Sequence, residues 1–443
     1  MAIMGFCRGY SGMVAGALLG LATAVLGGCG PGERPASSSP DSGAASPAEE
    51  ASIKVADGAV ATVLADKIGA GRHAVVAPNG DVYINTWRSP YDTSRSAPPG
   101  GFIVALRDTN QDGRADLIQR FGNTTESGSR GGTGIALRDG ALYVEADSSI
   151  LRYKLTPGAL VPAGKPDTIV AGLTTEGGHP MHPIAVDAKG NLFVNMGSNT
   201  NSCQKEDRQT ESKGIDPCTE LQTRGGIWRF SATRTGQRFS PRARYATGIR
   251  NADGLAVHPS GVLYATQHGR DQLGQNWPKL YDWKQSANLP AEVLLRVEEG
   301  GDYGWPYCYY DPDRKAMVLA PEYGGDGKKI GRCAGKRRPA AVFPAHWAPT
   351  ALAFSGDTAA FIAFHGSWNR SPEPQEGYNV VLQPLADGKA AGEFRIFADG
   401  FAGEQKEPGL AAHRPTGVAV APDGALIITD DQGGRVWRVS KAS

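Results

Sequence analysis

The chain repeats one short pattern six times, and this repetition limits the folds that it can adopt. In each copy an apolar strand leads into a turn that contains glycine, and a second strand with an aromatic or aliphatic face follows. Such a turn between two apolar strands predicts a β-hairpin. Because no long amphipathic helix pattern lies between the copies, the repetition favours an all-β fold of similar units. The copies begin at residues 73, 134, 183, 254, 351 and 417.

Further strands extend each hairpin. Outer strands at 116–121 and 167–173 bring the units to four strands each. Six four-stranded units predict a six-bladed β-propeller with inserted loops, closed by pairing 61–66 with the last blade so that no edge stays exposed. A β-sandwich is the alternative, and the similarity of the six units argues against it. The third strands are predicted at 102–106, 150–155, 226–230, 292–297, 378–384 and 435–439.

The longest predicted loops, 198–225 and 268–291, both join the second strand of a unit to its third. In a propeller, loops of this kind gather on one face over the central channel. The high content of turn-forming residues, 59 Gly and 30 Pro in 443 residues, agrees with many such connections. The sequence therefore predicts a functional site on that face.

The N-terminus resembles an export signal. Arg8 precedes an apolar run over 13–26, and Cys29 follows the small residues at its end. This ending resembles the cleavage box of bacterial lipoproteins, in which the cysteine becomes lipidated; an ordinary signal with an incidental cysteine is the alternative. Because Gly30, and not aspartate, follows, the expected location is the outer membrane facing the periplasm, or the cell surface.

Three segments follow from this interpretation. Residues 1–28 are the predicted lipoprotein signal peptide. Residues 29–52 are rich in Pro, Ser, Ala and Glu, so they bury too little apolar surface to fold and are expected to form a flexible tether. Residues 53–443 are the predicted propeller domain.

The charge balance bears on possible partners. The net charge is +1, with 46 basic and 45 acidic residues, and phosphate binding requires a basic face. We therefore expect no nucleic acid partner. After residue 30 no apolar run approaches the roughly 20 residues that span a bilayer, so the membrane would be reached only through the N-terminal lipid.

The cysteines agree with export. Cys7 would leave with the signal and Cys29 would carry lipid, which leaves four. An even number in an oxidising compartment suggests two disulfides, and three pairings are possible. A metal site is the alternative, although the spacing fits no standard zinc pattern. The local pairs, which would each close a loop between strands, are Cys203–Cys218 and Cys308–Cys333.

A polar cluster lies where the fourth copy begins. Arg250, Asn251 and Asp253 immediately precede the apolar residues 255–257. Arginine offers a planar fork of donors to carboxylates, asparagine offers a donor and an acceptor, and aspartate offers an acceptor. The set suits a planar ligand with several carboxylates; a solvated surface turn is the alternative.

Two histidines, His179 and His182, precede the third copy. They could bind metal or act as a general base, since neutral imidazole is the usual base near neutral pH. Exposed loop histidines without a role are the alternative. The glycines at 177 and 178 would let a ligand approach the backbone.

Two oxygen-rich regions are candidate calcium sites. Loops between 267 and 313 offer carboxylates and backbone carbonyls, the hard ligands that Ca²⁺ prefers, although tight turns alone would explain them. The second region resembles part of a calcium loop, with glycine at its sixth place and Gln119 where a bidentate glutamate is expected. Its candidate ligands are Asp108, Asn110, Asp112 and Asp116.

Strings such as Gly301-Asp-Tyr-Gly-Trp-Pro-Tyr-Cys308 and His365-Gly-Ser-Trp-Asn-Arg370 occur in the second half of the chain. Together with the others quoted below they resemble the soluble dehydrogenases of sugars that depend on pyrroloquinoline quinone (PQQ), in particular their sorbosone dehydrogenase-like branch. The resemblance extends over residues 60–440. The Tyr-Gly-Trp-Pro and His-Gly-Ser-Trp-Asn-Arg strings are specific, whereas the Pro-Asp-Gly turns are not. The matching strings are Gly177-Gly-His179, Gly248-Ile-Arg-Asn251, Gly301-Asp-Tyr-Gly-Trp-Pro-Tyr-Cys308, His365-Gly-Ser-Trp-Asn-Arg370 and Arg414-Pro-Thr-Gly-Val418.

The resemblance implies a propeller with PQQ on its axis. His179 would accept the hydroxyl proton while hydride leaves the substrate carbon for the quinone, and Arg250 would polarise that quinone. Asn251 and Asp253 would hold the cofactor, and Arg414 would bind one of its carboxylates. The lysine that holds PQQ in relatives falls on Asn369 or Arg370.

The resemblance also implies two calcium ions. One would join PQQ to the backbone carbonyls of Gly269 and Arg270 and act as a Lewis acid on the quinone. A second, structural calcium would lie at Glu292, Tyr303 and Asp313.

The sequence departs from the glucose dehydrogenases at three places. Ser198 occupies the position of the acidic residue that orients the base, Thr416 that of a second arginine, and Gly132 that of a glutamine. Serine cannot stabilise an imidazolium as aspartate does. The serine matches the sorbosone-like branch, so these departures put glucose in doubt as the substrate, and PQQ affinity with it.

The expected function is therefore a PQQ- and calcium-dependent oxidoreductase that oxidises a sugar, an aldosone or a related alcohol or aldehyde in the periplasm or at the cell surface. A quinone or a cytochrome would accept the electrons. The alternatives are a calcium-dependent propeller hydrolase of the lactonase type and a binding propeller without catalytic activity.

Overall fold

Six sheets, antiparallel except for the β10–β14 pair, make up the greater part of this computed structural model, which describes residues 52–87, 99–125 and 130–442. The strands of the first half are β1 (Lys54–Val55), β2 (Ala59–Ala65), β3 (Gly71–Val76), β4 (Val82–Thr86), β5 (Ile103–Arg107), β6 (Leu117–Phe121), β7 (Ile135–Arg138), β8 (Ala141–Ala146), β9 (Ser149–Lys154), β10 (Asp167–Ala171), β11 (Ile184–Val186), β12 (Asn191–Met196), β13 (Gly226–Ser231), β14 (Gln237–Arg238) and β15 (Arg244–Thr247). Those of the second half are β16 (Leu255–Val257), β17 (Leu263–Gln267), β18 (Glu292–Val297), β19 (Cys308–Asp311), β20 (Ala316–Leu319), β21 (Ala341–Phe343), β22 (Pro349–Ser355), β23 (Ala359–Phe364), β24 (Asn379–Ala386), β25 (Lys389–Ala390), β26 (Arg395–Asp399), β27 (Pro415–Val420), β28 (Leu426–Asp430) and β29 (Val436–Lys441).

Helices are few and short in these ranges. The α-helices are α1 (Leu273–Asn276) and α2 (Trp283–Asn288), and neither has the length or apolarity that a membrane span requires. The 3₁₀ turns are Thr219–Gln222, Pro241–Ala243, Pro321–Tyr323 and Gly331–Gly335.

Each of the six larger sheets is one blade, with its strands in chain order from the axis outward, except that β2 is the outermost strand of blade 6. Blade 2 gains β14, blade 5 gains β1 and β25, and β19 and β20 form a separate hairpin inserted in blade 4. Blade 1 is β3-β4-β5-β6, blade 2 is β7-β8-β9-β10, blade 3 is β11-β12-β13-β15, blade 4 is β16-β17-β18-β21, blade 5 is β22-β23-β24-β26, and blade 6 is β27-β28-β29-β2.

The innermost strands form a closed ring. Each contacts the innermost strand of the next blade, and β27 of blade 6 contacts β3 of blade 1. The ring is held by β2, which pairs antiparallel with β29 so that Val60 lies opposite Ser440. The predicted six-bladed propeller, including its closure by an N-terminal strand, is therefore confirmed.

The core lies between neighbouring blades, because each sheet buries both of its faces. Trp228 is fully buried in the apolar cluster that joins blades 2 and 3. Trp437 is fully buried in the cluster that joins blades 5 and 6, where its ring lies 5.1 Å from that of Phe401. Packing of sheet against sheet thus fixes the blades around the axis.

Both predicted long loops join a second strand to a third, in blades 3 and 4. The predicted disulfides are present: Cys203–Cys218 closes part of the first loop, and Cys308–Cys333 ties the β19–β20 hairpin to the segment that follows it. The predicted signal peptide, the lipidation site Cys29 and all of the tether except Ser52 lie outside the described residues.

Candidate active site

The face that carries the long loops is also where the innermost strands begin and the second strands end. Side chains from several blades meet there around the axis, and we call this cluster the hub. Its members are Arg72, His179, Arg250, Asp253, His268, His365 and Arg414.

Arg72 extends across the axis from β3. Its Nη1 donates to Asp431 Oδ2 of blade 6 at 2.7 Å, and its Nη2 lies 3.8 Å from Asp253 Oδ2 of blade 4. The neighbouring His73 places Nε2 2.7 Å from the Thr350 carbonyl of blade 5. Burial lowers the pKa of His73 to about 4, so this imidazole is neutral. The centre of the face is therefore closed by polar groups from blades on different sides of the ring.

His179 has the arrangement of a general base. Its Nδ1 lies 2.8 Å from the Ser198 carbonyl oxygen and 3.1 Å from Ser198 Oγ. Because that hydroxyl donates to the Thr200 carbonyl, Nδ1–H donates to the Ser198 carbonyl and Nε2 keeps its lone pair. Burial lowers the pKa of His179 well below its ordinary value, and the positive charge of Arg250 adds to this effect. The imidazole is thus neutral and able to accept a proton at Nε2.

Arg250 is buried and held by the blade-3 and blade-4 loops. Its Nε donates to the Asn201 carbonyl at 3.2 Å, its Nη1 to the Gly269 carbonyl at 2.9 Å, and its Nη2 to Asp271 Oδ2 at 2.9 Å. Burial would raise the pKa of Asp271, but the guanidinium groups of Arg250 and Arg208 outweigh it and hold the pKa well below its usual range. A fixed positive charge therefore lies beside the candidate base.

Two further histidines lie in this field of positive charge. The rings of His268 and His365 are 6.2 Å apart, and Arg414 donates from Nη2 to His365 Nδ1 at 2.7 Å. Burial lowers the pKa of His365 well below its ordinary value, and the charges of Arg414, His268 and Arg72 lower it further. Burial likewise lowers the pKa of His268. The hub thus combines arginine side chains with imidazoles whose lowered pKa values keep them neutral.

The remaining polar residues of the predicted cluster are buried. Asn251 accepts a hydrogen bond from Asn195 Nδ2 at 3.2 Å. Asp253 directs Oδ2 toward His268 Nε2 at 3.6 Å, while its Oδ1 is buried without a hydrogen-bond partner among the described residues. A buried acceptor in this state costs free energy unless a ligand or ion satisfies it.

The side chains of Asn369 and Arg370, the two candidates for the cofactor-binding position, make different contacts. Asn369 Nδ2 donates to Asp271 Oδ1 at 2.7 Å, so it belongs to the network around Arg250. Arg370 donates from Nη1 to the carbonyls of Ala287 and Ala345, at 3.0 and 3.2 Å. The structure therefore connects Asn369 to the hub and directs Arg370 to loop backbone.

Of the first predicted calcium ligands, the Gly269 carbonyl already accepts from Arg250, and the side chain of Arg270 pairs with Glu322 Oε1 at 2.5 Å. The role of these carbonyls stays a prediction.

The second predicted set does not come together through its side chains. Glu292, at the start of β18, accepts from Gly269 N at 2.8 Å, and burial raises its pKa to about 8. The Tyr303 hydroxyl donates to the Arg296 carbonyl, four residues and about 13 Å further along the strand. Asp313 is exposed in the turn of the β19–β20 hairpin. The Glu292 carboxylate and the Tyr303 hydroxyl thus lie apart along β18, and calcium at Glu292, Tyr303 and Asp313 stays a prediction.

The partial calcium loop does come together. Asp108 accepts from the backbone amides of residues 111 and 113, and Asp116 Oδ2 accepts from Thr109 N at 2.7 Å. The amide of Asn110 donates to Asp112 Oδ2 at 3.1 Å. Across the described ranges, no three His, Cys, Asp or Glu side chains gather in a manner suited to a metal ion. Calcium at this loop stays a prediction.

Sequence reasoning gave no role to Arg72 or Glu145. Glu145 is buried and accepts from His182 Nδ1 at 3.0 Å and from the amides of Thr133 and Gly134. Burial would raise its pKa, but these hydrogen bonds outweigh it and lower the pKa. A signal existed in the repeats, since Arg72 occupies the place in the first copy that Asp253 occupies in the fourth.

One family model and several curated proteins match parts of this chain. A family model described as TrAA12-like matches residues 100–442. Among curated proteins, a PQQ-dependent pyranose dehydrogenase of Coprinopsis cinerea is 27% identical over 166 residues, which are 33% of this chain and 22% of that protein. An uncharacterised protein of Borreliella burgdorferi is 29% identical over 205 residues, 44% of this chain and 48% of the other. The chain thus matches half or less of the length of these relatives.

Solved structures share the fold at low identity. The calcium structure of the family AA12 enzyme of Trichoderma reesei superposes with a TM-score of 0.71 at 17% identity, covering 88% of this chain and 98% of that one. The holo form of the pyranose dehydrogenase PQQ domain from Coprinopsis cinerea gives 0.67 at 18% identity, covering 88% and 97%. The PQQ-bound aldose sugar dehydrogenase of Streptomyces coelicolor gives 0.54 at 18% identity, covering 87% and 99%. Since the matched family model extends over most of the propeller and its hub, the chain belongs to the TrAA12-like family.

Proposed function

We propose that the chain is a PQQ-dependent oxidoreductase that oxidises a sugar, an aldosone or a related alcohol or aldehyde. The observation that carries the proposal is the position of His179, a neutral imidazole fixed through Nδ1, beside the buried Arg250 and within the cationic hub. Membership of the TrAA12-like family and the PQQ-dependent activity of the Coprinopsis relative support it.

The hub fits an anionic quinone. Its arginines come from different blades, and the pKa values of His179, His268 and His365 are lowered by burial and by neighbouring positive charge. Arg72 and Arg250 pair with Asp431 and Asp271, whereas Arg414 has no carboxylate within salt-bridge distance among the described residues, so a ligand carboxylate would supply its counter-charge. PQQ has three carboxylates, and Arg72 and Arg414 are the residues that would bind them.

When bound, PQQ would supply the two-electron acceptor for the hydride that leaves the substrate carbon. His179 Nε2 would accept the proton of the substrate hydroxyl, because Nδ1 is committed to the Ser198 carbonyl. Arg250 keeps its charge throughout, since Asp271 and the Gly269 and Asn201 carbonyls hold the guanidinium in place. Such a preorganised charge stabilises negative charge that develops near it.

Calcium dependence, with the Gly269 and Arg270 carbonyls as ligands, is part of the proposal, as is a sorbosone-like substrate. We propose the same for the location: export, lipidation at Cys29, and an outer-membrane or surface anchor. The two disulfides support an oxidising compartment. A membrane quinone or a cytochrome would then take up the electrons.

The test is a titration of purified protein with PQQ, with and without Ca²⁺, followed by absorbance and by dye reduction over a panel of aldoses, aldosones and polyols. We expect saturable PQQ binding, and dye reduction that requires PQQ. Saturable hydrolysis of lactones in the absence of PQQ, with no quinone binding, would contradict the proposal and favour a lactonase.

A further inference from the structure

A recess opens on the same face as the hub, between the second-to-third strand loops of blades 4 and 5. Its volume is about 450 Å³, within the range of pockets that bind small molecules. We call it the cleft. It is lined by Gln272, Gln275, Trp283, Ser286, Trp368, Asn369, Ser371 and Pro372.

Two exposed indoles form the apolar part of the cleft. Trp283 and Trp368 are 53% and 51% exposed, although tryptophan is highly buried on average in folded proteins. Water contact of so much apolar surface is unfavourable. Large exposed aromatic groups that share one recess therefore indicate a binding site.

The rest of the lining is polar and uncharged. Three amides and two hydroxyls face the cleft, and no side chain in its lining ionises. Amides and hydroxyls both donate and accept hydrogen bonds, as neighbouring sugar hydroxyls do. Asn369 Oδ1 is also buried without a protein partner in the described ranges. A neutral ligand with many hydroxyls and a flat C–H face, such as a pyranose ring, matches this combination.

The two walls of the cleft are held in place. Trp283 opens α2, whose N-terminus is fixed by a capping box between Asp282 and Gln285. Ser286 Oγ accepts from Gly274 N at 3.0 Å and so joins α2 to α1. Arg370 of the blade-5 loop donates to the α2 carbonyl of Ala287. The aromatic walls are therefore preformed, which lowers the entropic cost of binding.

The cleft is connected to the hub by short hydrogen-bonded paths. Asn369 donates to Asp271, which accepts from Arg250. On the other side, Arg208 donates to Gln272 Oε1 and to Asp271 Oδ2, both at 2.9 Å. Asn369, in the lining of the cleft, thus lies two hydrogen bonds away from the guanidinium beside the candidate base.

We propose that the cleft binds the second pyranose unit of an oligosaccharide whose terminal unit reacts at the hub. The assignment rests on the proposed function, and it names the substrate as a neutral oligosaccharide. Stacking on Trp283 and Trp368 would provide affinity, and the amides would orient the ring.

Isothermal titration calorimetry of the chain without PQQ tests the cleft separately from catalysis. The probes are glucose, cellotriose and maltotriose. We expect at least one trisaccharide to bind more tightly than glucose, and Trp283→Ala and Trp368→Ala each to weaken it about 3- to 10-fold, the range that double-mutant cycles give for an aromatic contact. Trp283→Phe should retain part of the affinity. The matched control is Leu280→Ala, which removes a side chain that is 38% exposed in the same loop but outside the lining.

Three outcomes would overturn the assignment: neither trisaccharide binds more tightly than glucose; both alanine variants bind as the unmodified chain does; or Leu280→Ala weakens binding as much as they do. The PQQ titration distinguishes this failure from that of the proposed function. If PQQ binds while the trisaccharides do not, the cleft assignment fails and the oxidoreductase stands. If the trisaccharides bind and PQQ does not, the cleft is a carbohydrate site on a protein of different function.

Discussion

The hub and the cleft lie on one face of the propeller but differ in chemistry. The hub combines three arginines, buried imidazoles and Asp253, whereas no side chain lining the cleft ionises. Charge held in a buried site selects a charged ligand, because an unmatched buried charge is costly. Exposed indoles with amides select a neutral one. Under the proposed function, cofactor retention and substrate recognition would be separate tasks, performed by neighbouring sets of residues, and each prediction below tests that separation.

The largest effect is expected from His179→Ala. Removing the base should lower kcat about 10²- to 10⁴-fold, the usual contribution of general base catalysis. PQQ affinity and trisaccharide affinity should each stay within about 2-fold, because the neutral imidazole offers no charge to a carboxylate of PQQ and does not line the cleft. Dye reduction, PQQ titration and calorimetry measure the three quantities. His258→Gln, at the β16–β17 turn on the opposite face, is the control and should retain activity.

A smaller effect is expected from Arg414→Met at the hub. Losing one charge-assisted contact should weaken PQQ binding about 10- to 150-fold, since hydrogen bonds to charged groups contribute about 1.5–3 kcal/mol. Trisaccharide affinity should not change. Arg438→Met is the matched control, because it removes an arginine of the same blade that pairs with Asp423, away from the hub. If Arg414→Met weakened trisaccharide binding and left PQQ binding normal, the hub and the cleft would not be separate sites.

Ser198→Asp should shift the pH profile of kcat/KM, while the affinities for PQQ and for the trisaccharide should change little. Burial and Arg250 lower the pKa of His179, so the unmodified base is neutral down to well below pH 6.5. A carboxylate beside Nδ1 favours the imidazolium and raises that pKa. Because only the neutral imidazole accepts a proton, the acid limb of kcat/KM should move to higher pH by about one unit. Ser198→Asn, a neutral replacement, should leave the limb in place; equal shifts in both variants would contradict the assignment of His179.

Much of the fold could be predicted from the sequence because its signals are local. Alternating apolar residues and glycine turns can each be recognised within ten residues of sequence. The predicted strand 292–297, for example, coincides with β18. Gly424, for example, has φ +85° in the turn between β27 and β28, a conformation that other residues rarely adopt. Closure by β2 also followed from physics, because an open ring would leave two unpaired edges.

The site was less predictable because its contacts are not local. Arg72 and Asp253 are 181 positions apart and meet only because blades 1 and 4 face each other across the ring. Trp283 could not be recognised as part of a binding site from its own segment, because Trp368, which lines the cleft with it, comes from another blade. The sequence motifs supplied His179 and Arg250 as candidates and the family resemblance supplied their roles, but neither could show that the Ser198 carbonyl orients the base.

Arg370→Met is expected to have the smallest functional effect. It also tests most directly whether a residue between the two sites serves the hub or the cleft. The resemblance suggested Arg370 as a cofactor ligand, whereas its guanidinium contacts the carbonyls of Ala287 and Ala345 in the loops beside the cleft.

If Arg370 serves the cleft, methionine should weaken trisaccharide binding only about 2- to 5-fold, because α2 loses one tie while its capping box remains. Unfolding free energy should fall by about 1–3 kcal/mol, since buried carbonyls lose their donors. PQQ affinity should stay within about 2-fold. Calorimetry and thermal melts measure these changes; a 10-fold loss of PQQ affinity with normal trisaccharide binding would instead assign Arg370 to the hub, as the sequence suggested.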